Sequence, residues 1–112
     1  MDYERIRIDR DGDITRLTMV NSARRNVLAL RTMQEITQAL HEAAASDALV
    51  VVIAAEGPAF SAGHDFADMA GVDYAAARKL FDVCTEMMNL IQQIPQVVIA
   101  QVQGIATAAG CQ

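Results

Sequence analysis

Residues 58–69, PAFSAGHDFADM, combine residue types and spacing that suit chemistry on a carbonyl group. An apolar strand leads into this stretch, a turn containing Gly63 follows, and a short helix is predicted at about 64–69. A turn of this kind leaves backbone N–H groups unpaired and pointing outward. Such donors can stabilise a carbonyl oxygen as negative charge develops on it.

A second segment of the same type lies at residues 104–110, GIATAAG, where small residues again follow an apolar strand. Two turns that each donate one N–H can converge on one oxygen and form an oxyanion hole built from backbone. The residues by themselves also allow two ordinary strand-to-helix connections, and that simpler interpretation is favoured without further information.

The elements that position these turns follow a strand and helix alternation. Segments 3–8 and 14–20 flank DRDGD and predict a β-hairpin. Apolar residues at intervals of three and four predict an amphipathic helix over 30–46. Residues 49–55, LVVVIAA, predict a strand covered on both faces, as in parallel sheets. The pattern indicates an α/β fold that begins with a βαβ-like unit.

The second half of the chain repeats this order. Asp73 is a predicted N-cap of a longer helix, Pro95 ends that helix, and residues 97–102 predict a second apolar strand. The chain stops within an apolar segment, so we interpret residues 1–112 as one truncated domain, the N-terminal portion of a longer fold.

Composition narrows the function classes. The net charge of −5 and pI near 4.8 argue against partners such as nucleic acid or an anionic membrane. The N-terminus has no apolar signal stretch, which predicts a cytoplasmic protein. Cys84 and Cys111 lie apart without metal-binding spacing, so we expect no disulfide and no metal site, and two buried thiols.

The motifs resemble those of the enoyl-CoA hydratase/isomerase (crotonase) superfamily. FSAGHDFADM is similar to the family's FxAGxD segment, and QVQGIATAAGC to the segment in which a strand leads into a Gly-x-Ala-x-Gly-Gly-Gly turn. ARRNVLAL resembles the RNAL segment, and the order along the chain matches. The resemblance implies a crotonase-type spiral of strand-strand-helix turns, incomplete at its C-terminus, and homotrimers or hexamers of the complete protein.

The resemblance also implies site residues. The backbone N–H groups of His64 and Ala109 would hold the carbonyl of a coenzyme A thioester, and the CoA nucleotide would lie beside Ala23, Arg24 and Arg25. No metal and no dissociable redox cofactor is implied, because the polarisation comes from the main chain.

Four neighbours complete the expected substrate-binding set: Ala62, Gly63, Asp65 and Phe66. Asp65 is expected to cap or orient the turn, because a carboxylate near a helix N-terminus accepts free N–H groups. The His64 side chain is the less favoured candidate for acid-base chemistry, since the family uses this position through its main chain.

One departure from the family pattern concerns Gln112, which falls where hydratases carry their first catalytic glutamate. An amide does not accept a proton at useful pH, although it can position a water molecule. The leading expectation is therefore an acyl-CoA enzyme of lyase or isomerase type in fatty acid metabolism, with thioesterase or hydrolase chemistry also compatible. The alternative is a non-catalytic acyl-CoA binding or interaction protein. A nucleotide-binding module is disfavoured, because neither GxGxxG nor GxxxxGK[ST] follows an apolar strand.

Overall fold

The computed structural model describes residues 2–112. Their elements in chain order are β1 (Ile6–Asp11), β2 (Ile14–Met19), a 3-10 turn (Ser22–Arg24), α1 (Leu30–Ala44), β3 (Val50–Ala55), β4 (Ala59–Ser61), α2 (Phe66–Met69), α3 (Tyr74–Gln93), β5 (Val97–Ala100), β6 (Ile105–Ala106) and a second 3-10 turn (Ala108–Gly110).

Four of the strands form one sheet in the order β1, β2, β3, β5. β1 and β2 pair antiparallel and confirm the predicted hairpin. β2 and β3 pair parallel, with Ile14 opposite Val50 and Met19 opposite Ala55, and α1 makes the connection. The predicted βαβ unit is therefore confirmed, and β5 extends it with a further parallel pairing to β3.

The core lies between this sheet and the helices α1 and α3. α1 buries Met33, Ile36 and Leu40, because their spacing places them on one helical face. α3 contributes Leu80 and Met87 to the same cluster. Each such side chain contributes about 1.5–3 kcal/mol when it is fully buried. The packed pair of helices supports this sheet, and the candidate turns follow the separate strands β4 and β6.

Two carboxylates anchor α1. Its N-cap, Ala29, offers no side-chain acceptor, and Asp68 of α2 instead accepts the N–H of Leu30 at 2.8 Å. The fully buried Glu35 accepts the backbone N–H groups of Glu4 and Arg5 at 3.0 and 2.9 Å. Because a buried carboxylate needs such partners, Glu35 ties the start of the chain to the helix.

Asp73 caps α3 through the N–H of Ala76, as predicted, and α3 ends at Gln93, two residues before Pro95. β5 ends at Ala100, earlier than the predicted boundary at 102. β4 and β6, which pair parallel as a separate two-stranded sheet, were not predicted. Strands of three and two residues are too short to show an alternation in sequence.

The expectation of two buried thiols is wrong for one cysteine. Cys84 is buried in α3, whereas Cys111 is exposed, because it caps the second 3-10 turn at the surface.

Within residues 2–112, no helix combines the length and apolar character needed to cross a membrane.

Candidate active site

A buried asparagine joins the loops that carry the site. The amide nitrogen of Asn26 donates to the carbonyls of Glu56 and Ala59 at 2.9 and 3.0 Å, and its amide oxygen accepts the N–H of Asn21 at 2.9 Å. The hydroxyl of Ser61 donates to the Asn26 carbonyl at 2.8 Å. These bonds hold the loop after β2 against β4, which leads into the first turn.

The first candidate turn follows β4 directly. The N–H of Ala62 donates to the carbonyl of Arg25 at 3.1 Å, and the carbonyl of Gly63 accepts from Leu28 at 2.6 Å. Gly63 has φ of +90°, a conformation that glycine adopts without a steric penalty. The turn, loop and cap hydrogen bonds of the described residues leave the N–H of His64 free.

The second candidate turn is held against the first by β4 and β6. Thr107 donates its N–H to the Ser61 carbonyl at 3.1 Å, and the 3-10 turn then begins at Ala108. A Cβ on Gly110 would lie 2.3 Å from the Ser61 oxygen, so only glycine fits at this crossing. The N–H of Ala109, near the start of this turn, is free among the same set of hydrogen bonds.

The two turns touch at Gly63. A Cβ built there would lie 3.1 Å from the Cβ of Ala108 and 3.4 Å from the nitrogen of Ala109. The nitrogen of His64 is one peptide unit from the Gly63 Cα, so both free N–H groups belong to this contact. The two turns therefore bring two N–H groups without partners into one region, and two such donors can stabilise one oxygen if both point at it.

A depression of about 410 Å³ lies on one side of the first turn. It is lined by Ala23, Arg24, Arg25, Val27, Ala62, His64, Asp65, Phe66 and Ala67. All of the expected substrate-binding residues except Gly63 therefore share one surface. Phe66 is largely exposed there, with 81% of its surface accessible.

Asp65 organises this depression. Its Oδ1 accepts the N–H of Ala67 at 3.0 Å, so it caps α2, and accepts from the Arg24 guanidinium at 2.8 Å. The Asp65 side chain is 8% exposed and that of Arg24 is 54% exposed. The carboxylate therefore orients Arg24, whose guanidinium has further N–H donors beyond the one that Asp65 binds.

A second depression, of about 310 Å³, lies on the other side of His64. Its lining residues are His64, Phe81, Cys84, Thr85, Met88, Asn89 and Gln112. The His64 ring packs edge-on against Phe81, with the centroids 5.5 Å apart. Gln112 and His64, far apart in sequence, thus line one space. Burial raises the pKa of the Cys84 thiol, which keeps that thiol neutral.

A third cavity, apolar and smaller at about 150 Å³, extends from Gln112 and Ala109 into the core. Met19, Leu28, Phe60, Met87 and Ile91 are among its lining residues. Such a lining suits a hydrocarbon chain.

Among residues 2–112, no cluster of three or more His, Cys, Asp or Glu side chains is arranged to hold a metal ion.

Sequence reasoning missed the residues that hold the turns in place. Asn26 and Ser61 lie in the segments singled out, but their bonds join positions 35 residues apart. The residue type is one available signal, since asparagine tolerates the left-handed conformation better than most residues and Asn26 adopts it, with φ of 51°. The contact of Phe81 with His64 was also not predicted, because it depends on tertiary packing.

Residues 9–112 match the family described as Enoyl-CoA hydratase/isomerase. The chain is 44% identical over 106 residues to the mitochondrial enoyl-CoA hydratase domain-containing protein 3 of Mus musculus, covering 91% of this chain and 34% of that protein. The crystal structure of the human enoyl-CoA hydratase domain-containing protein 3 matches with a TM-score of 0.93 and 33% identity, covering 96% of this chain and 44% of that one. An enoyl-CoA hydratase structure from Mycobacterium smegmatis matches with a TM-score of 0.93 and 38% identity. The match covers 97% of this chain and 44% of that one.

These relatives correct one expectation. The predicted cytoplasmic location is wrong by this comparison, because several similar proteins are named as mitochondrial. The prediction was based on the lack of an apolar signal stretch, whereas mitochondrial transit peptides are amphipathic and Arg-rich.

The chain spans about a third of the length of the curated relatives it matches. Its mixed α/β fold agrees with their crotonase-type structures over nearly its whole length. The family match covers both turns and the strands that lead into them. The chain therefore belongs to the enoyl-CoA hydratase/isomerase family of the crotonase superfamily.

Proposed function

We propose that this chain carries the oxyanion hole of an acyl-CoA enzyme of lyase or isomerase type, acting in fatty acid metabolism. The thioester carbonyl oxygen lies between the N–H groups of His64 and Ala109. The observation that carries the proposal is the contact of Gly63 with Ala109, which brings two unpaired N–H groups together.

The chemistry required of these donors is electrostatic. Removing a proton next to a thioester carbonyl, or adding a nucleophile to the conjugated chain, places negative charge on the carbonyl oxygen. Each well-placed donor lowers the barrier by about 3–4 kcal/mol. Backbone amides supply this stabilisation without a metal ion or redox cofactor, so the proposed site uses neither.

The Arg-lined depression supports the coenzyme A part of the proposal. Arg24 and Arg25 stand beside the His64 turn, and charge-assisted bonds from guanidinium groups suit phosphate oxygens. The apolar cavity beyond Ala109 provides the place for the acyl chain. A thioester bound across the turn then has its carbonyl at the two donors.

A non-catalytic acyl-CoA binding protein is the second candidate. It is favoured by Gln112, which lines the depression beside His64 and whose amide does not accept a proton at useful pH. Binding without turnover would then be the function of the same two turns.

The first experiment uses the protein that carries residues 1–112 and a short enoyl-CoA. Turnover is followed by loss of the conjugated thioester absorbance, and polarisation by the infrared stretch of a ¹³C-labelled thioester carbonyl. We expect the stretch to shift to lower frequency on binding. An unshifted stretch with confirmed binding contradicts the oxyanion hole, and a shifted stretch without turnover of any acyl-CoA supports the second candidate.

The Ala109 donor is tested by Ala109→Pro, which removes one N–H. Ala109→Gly is the matched control, because it alters the side chain and keeps the N–H. We expect the carbonyl shift to shrink in the proline variant only. If the two variants have the same melting temperature and show equal carbonyl shifts, a group other than the Ala109 N–H polarises the carbonyl.

We also propose that the complete protein is a homotrimer or hexamer. The proposal rests on the family to which the chain belongs. Light scattering of the purified protein tests the assembly, and a monomer contradicts it.

A further inference from the structure

The imidazole of His64 occupies a distinctive place beside the proposed oxyanion hole. Its Nδ1 is buried and has no hydrogen-bond partner in the protein. A buried polar atom without a partner is costly, so its presence needs an explanation. The edge contact with Phe81 holds the ring where the depression between His64 and Gln112 opens.

Within residues 2–112, the charged and titratable groups around His64 leave few choices for a proton acceptor. From α3, Cys84 lines the same depression, and burial keeps its thiol neutral. On the opposite side Arg24 and Arg25 are cations, and Asp65 is already bound to Arg24 and capping α2. The remaining polar side chains of the depression, Thr85, Asn89 and Gln112, do not take up protons near neutral pH.

Building on the proposed function, we infer that the His64 side chain is the proton-transfer group for the Cα of an acyl-CoA thioester. The residue then acts twice, with its N–H on the carbonyl oxygen and its imidazole on the neighbouring carbon. A neutral imidazole carries one ring nitrogen whose lone pair can accept a proton and later return it, which suits a reversible base.

The step balances without a co-reactant. The neutral imidazole takes a proton from Cα at Nε2, the ring nitrogen that is not among the buried unpaired atoms. The C–H electron pair moves into the Cα–C bond as the C=O pair moves onto oxygen. The N–H groups of His64 and Ala109 hold that oxygen as an enolate. The imidazolium then returns the proton to Cα, or to the carbon at the far end of a conjugated system, which gives exchange or isomerisation.

The test measures exchange of the α-protons of a saturated acyl-CoA with D₂O, by mass spectrometry, using the protein that carries residues 1–112. His64→Gln keeps the backbone N–H and removes the base. His41→Gln is the matched control, because the other histidine of the chain is exposed on α1 beside Glu86. We expect a loss of about 10²–10⁴-fold for His64→Gln and less than about threefold for the control.

Two further readouts separate this role from a structural one. Binding of the thioester and its carbonyl shift should persist in His64→Gln. Retained exchange, or exchange and binding lost together, overturns the inference. Absence of binding and of the carbonyl shift in the unsubstituted protein instead contradicts the proposed function.

Discussion

Gly63 and Ala109 meet where the two turns of the site come together: a Cβ on Gly63 would lie 3.4 Å from the Ala109 nitrogen. The missing side chain leaves room beside two free N–H groups that are 45 residues apart in sequence. The close approach depends on the pairing of β4 with β6, where Ser61 lies opposite Ala106.

Gly63→Ala should therefore damage both the fold and the site. The new Cβ would meet the Ala108 Cβ at 3.1 Å and the Thr107 carbonyl at 3.2 Å, on a backbone with φ of +90°. We expect unfolding free energy to fall by about 1–3 kcal/mol, together with loss of the carbonyl shift. Gly71→Ala is the control, since it has φ of +70° and nothing within 4 Å. Loss of the carbonyl shift in both variants would contradict a local effect at the turn.

Ala108→Gly should stabilise the protein. Ala108 has φ of 51°, a left-handed conformation that costs a residue with a Cβ about 1–2 kcal/mol. Glycine removes this cost but adds flexibility to the unfolded chain, so we expect a net gain of about 0.5–1 kcal/mol in denaturant unfolding. Ala109→Gly, where φ is not left-handed, should bring no gain. Equal effects of the two changes would argue against backbone strain at Ala108.

Arg24→Gln should weaken binding of the nucleotide part of coenzyme A. Loss of one charge-assisted bond predicts about a tenfold increase in Kd for an acyl-CoA, measured by calorimetry. The Kd for a pantetheine thioester, which lacks the nucleotide, should not change. Arg7→Gln is the control, because that guanidinium pairs with Asp9 and Glu56 on the exposed side of the sheet. Equal losses for the two thioesters would mean that Arg24 acts through the fold.

The two cysteines should differ in alkylation. Burial raises the pKa of the Cys84 thiol, so less thiolate forms at a given pH, and Cys111 is exposed. In native protein at pH 8, iodoacetamide should label Cys111 first, as read by peptide mass spectrometry. Both should react at similar rates in denaturant. Rapid native labelling of Cys84 would show that α3 opens readily.

The fold was predictable where a long segment carries its own signal. α1 begins at Leu30 as predicted and ends within two residues of the predicted boundary at Ser46. Asp73 was identified as a cap because the rule is local. β4 was missed, because three residues of strand depend on a partner, β6, that lies more than 40 positions away.

The sequence by itself determined the α/β order, the family motifs and the two turns, because apolar periodicity and glycine placement act over a few neighbouring residues. Only the tertiary structure decided that Gly63 lies beside Ala109, that Asp65 binds Arg24, and that His64 and Gln112 line one depression. These relationships join distant parts of the chain. Their geometry follows from strand pairing and helix packing, which no local pattern encodes.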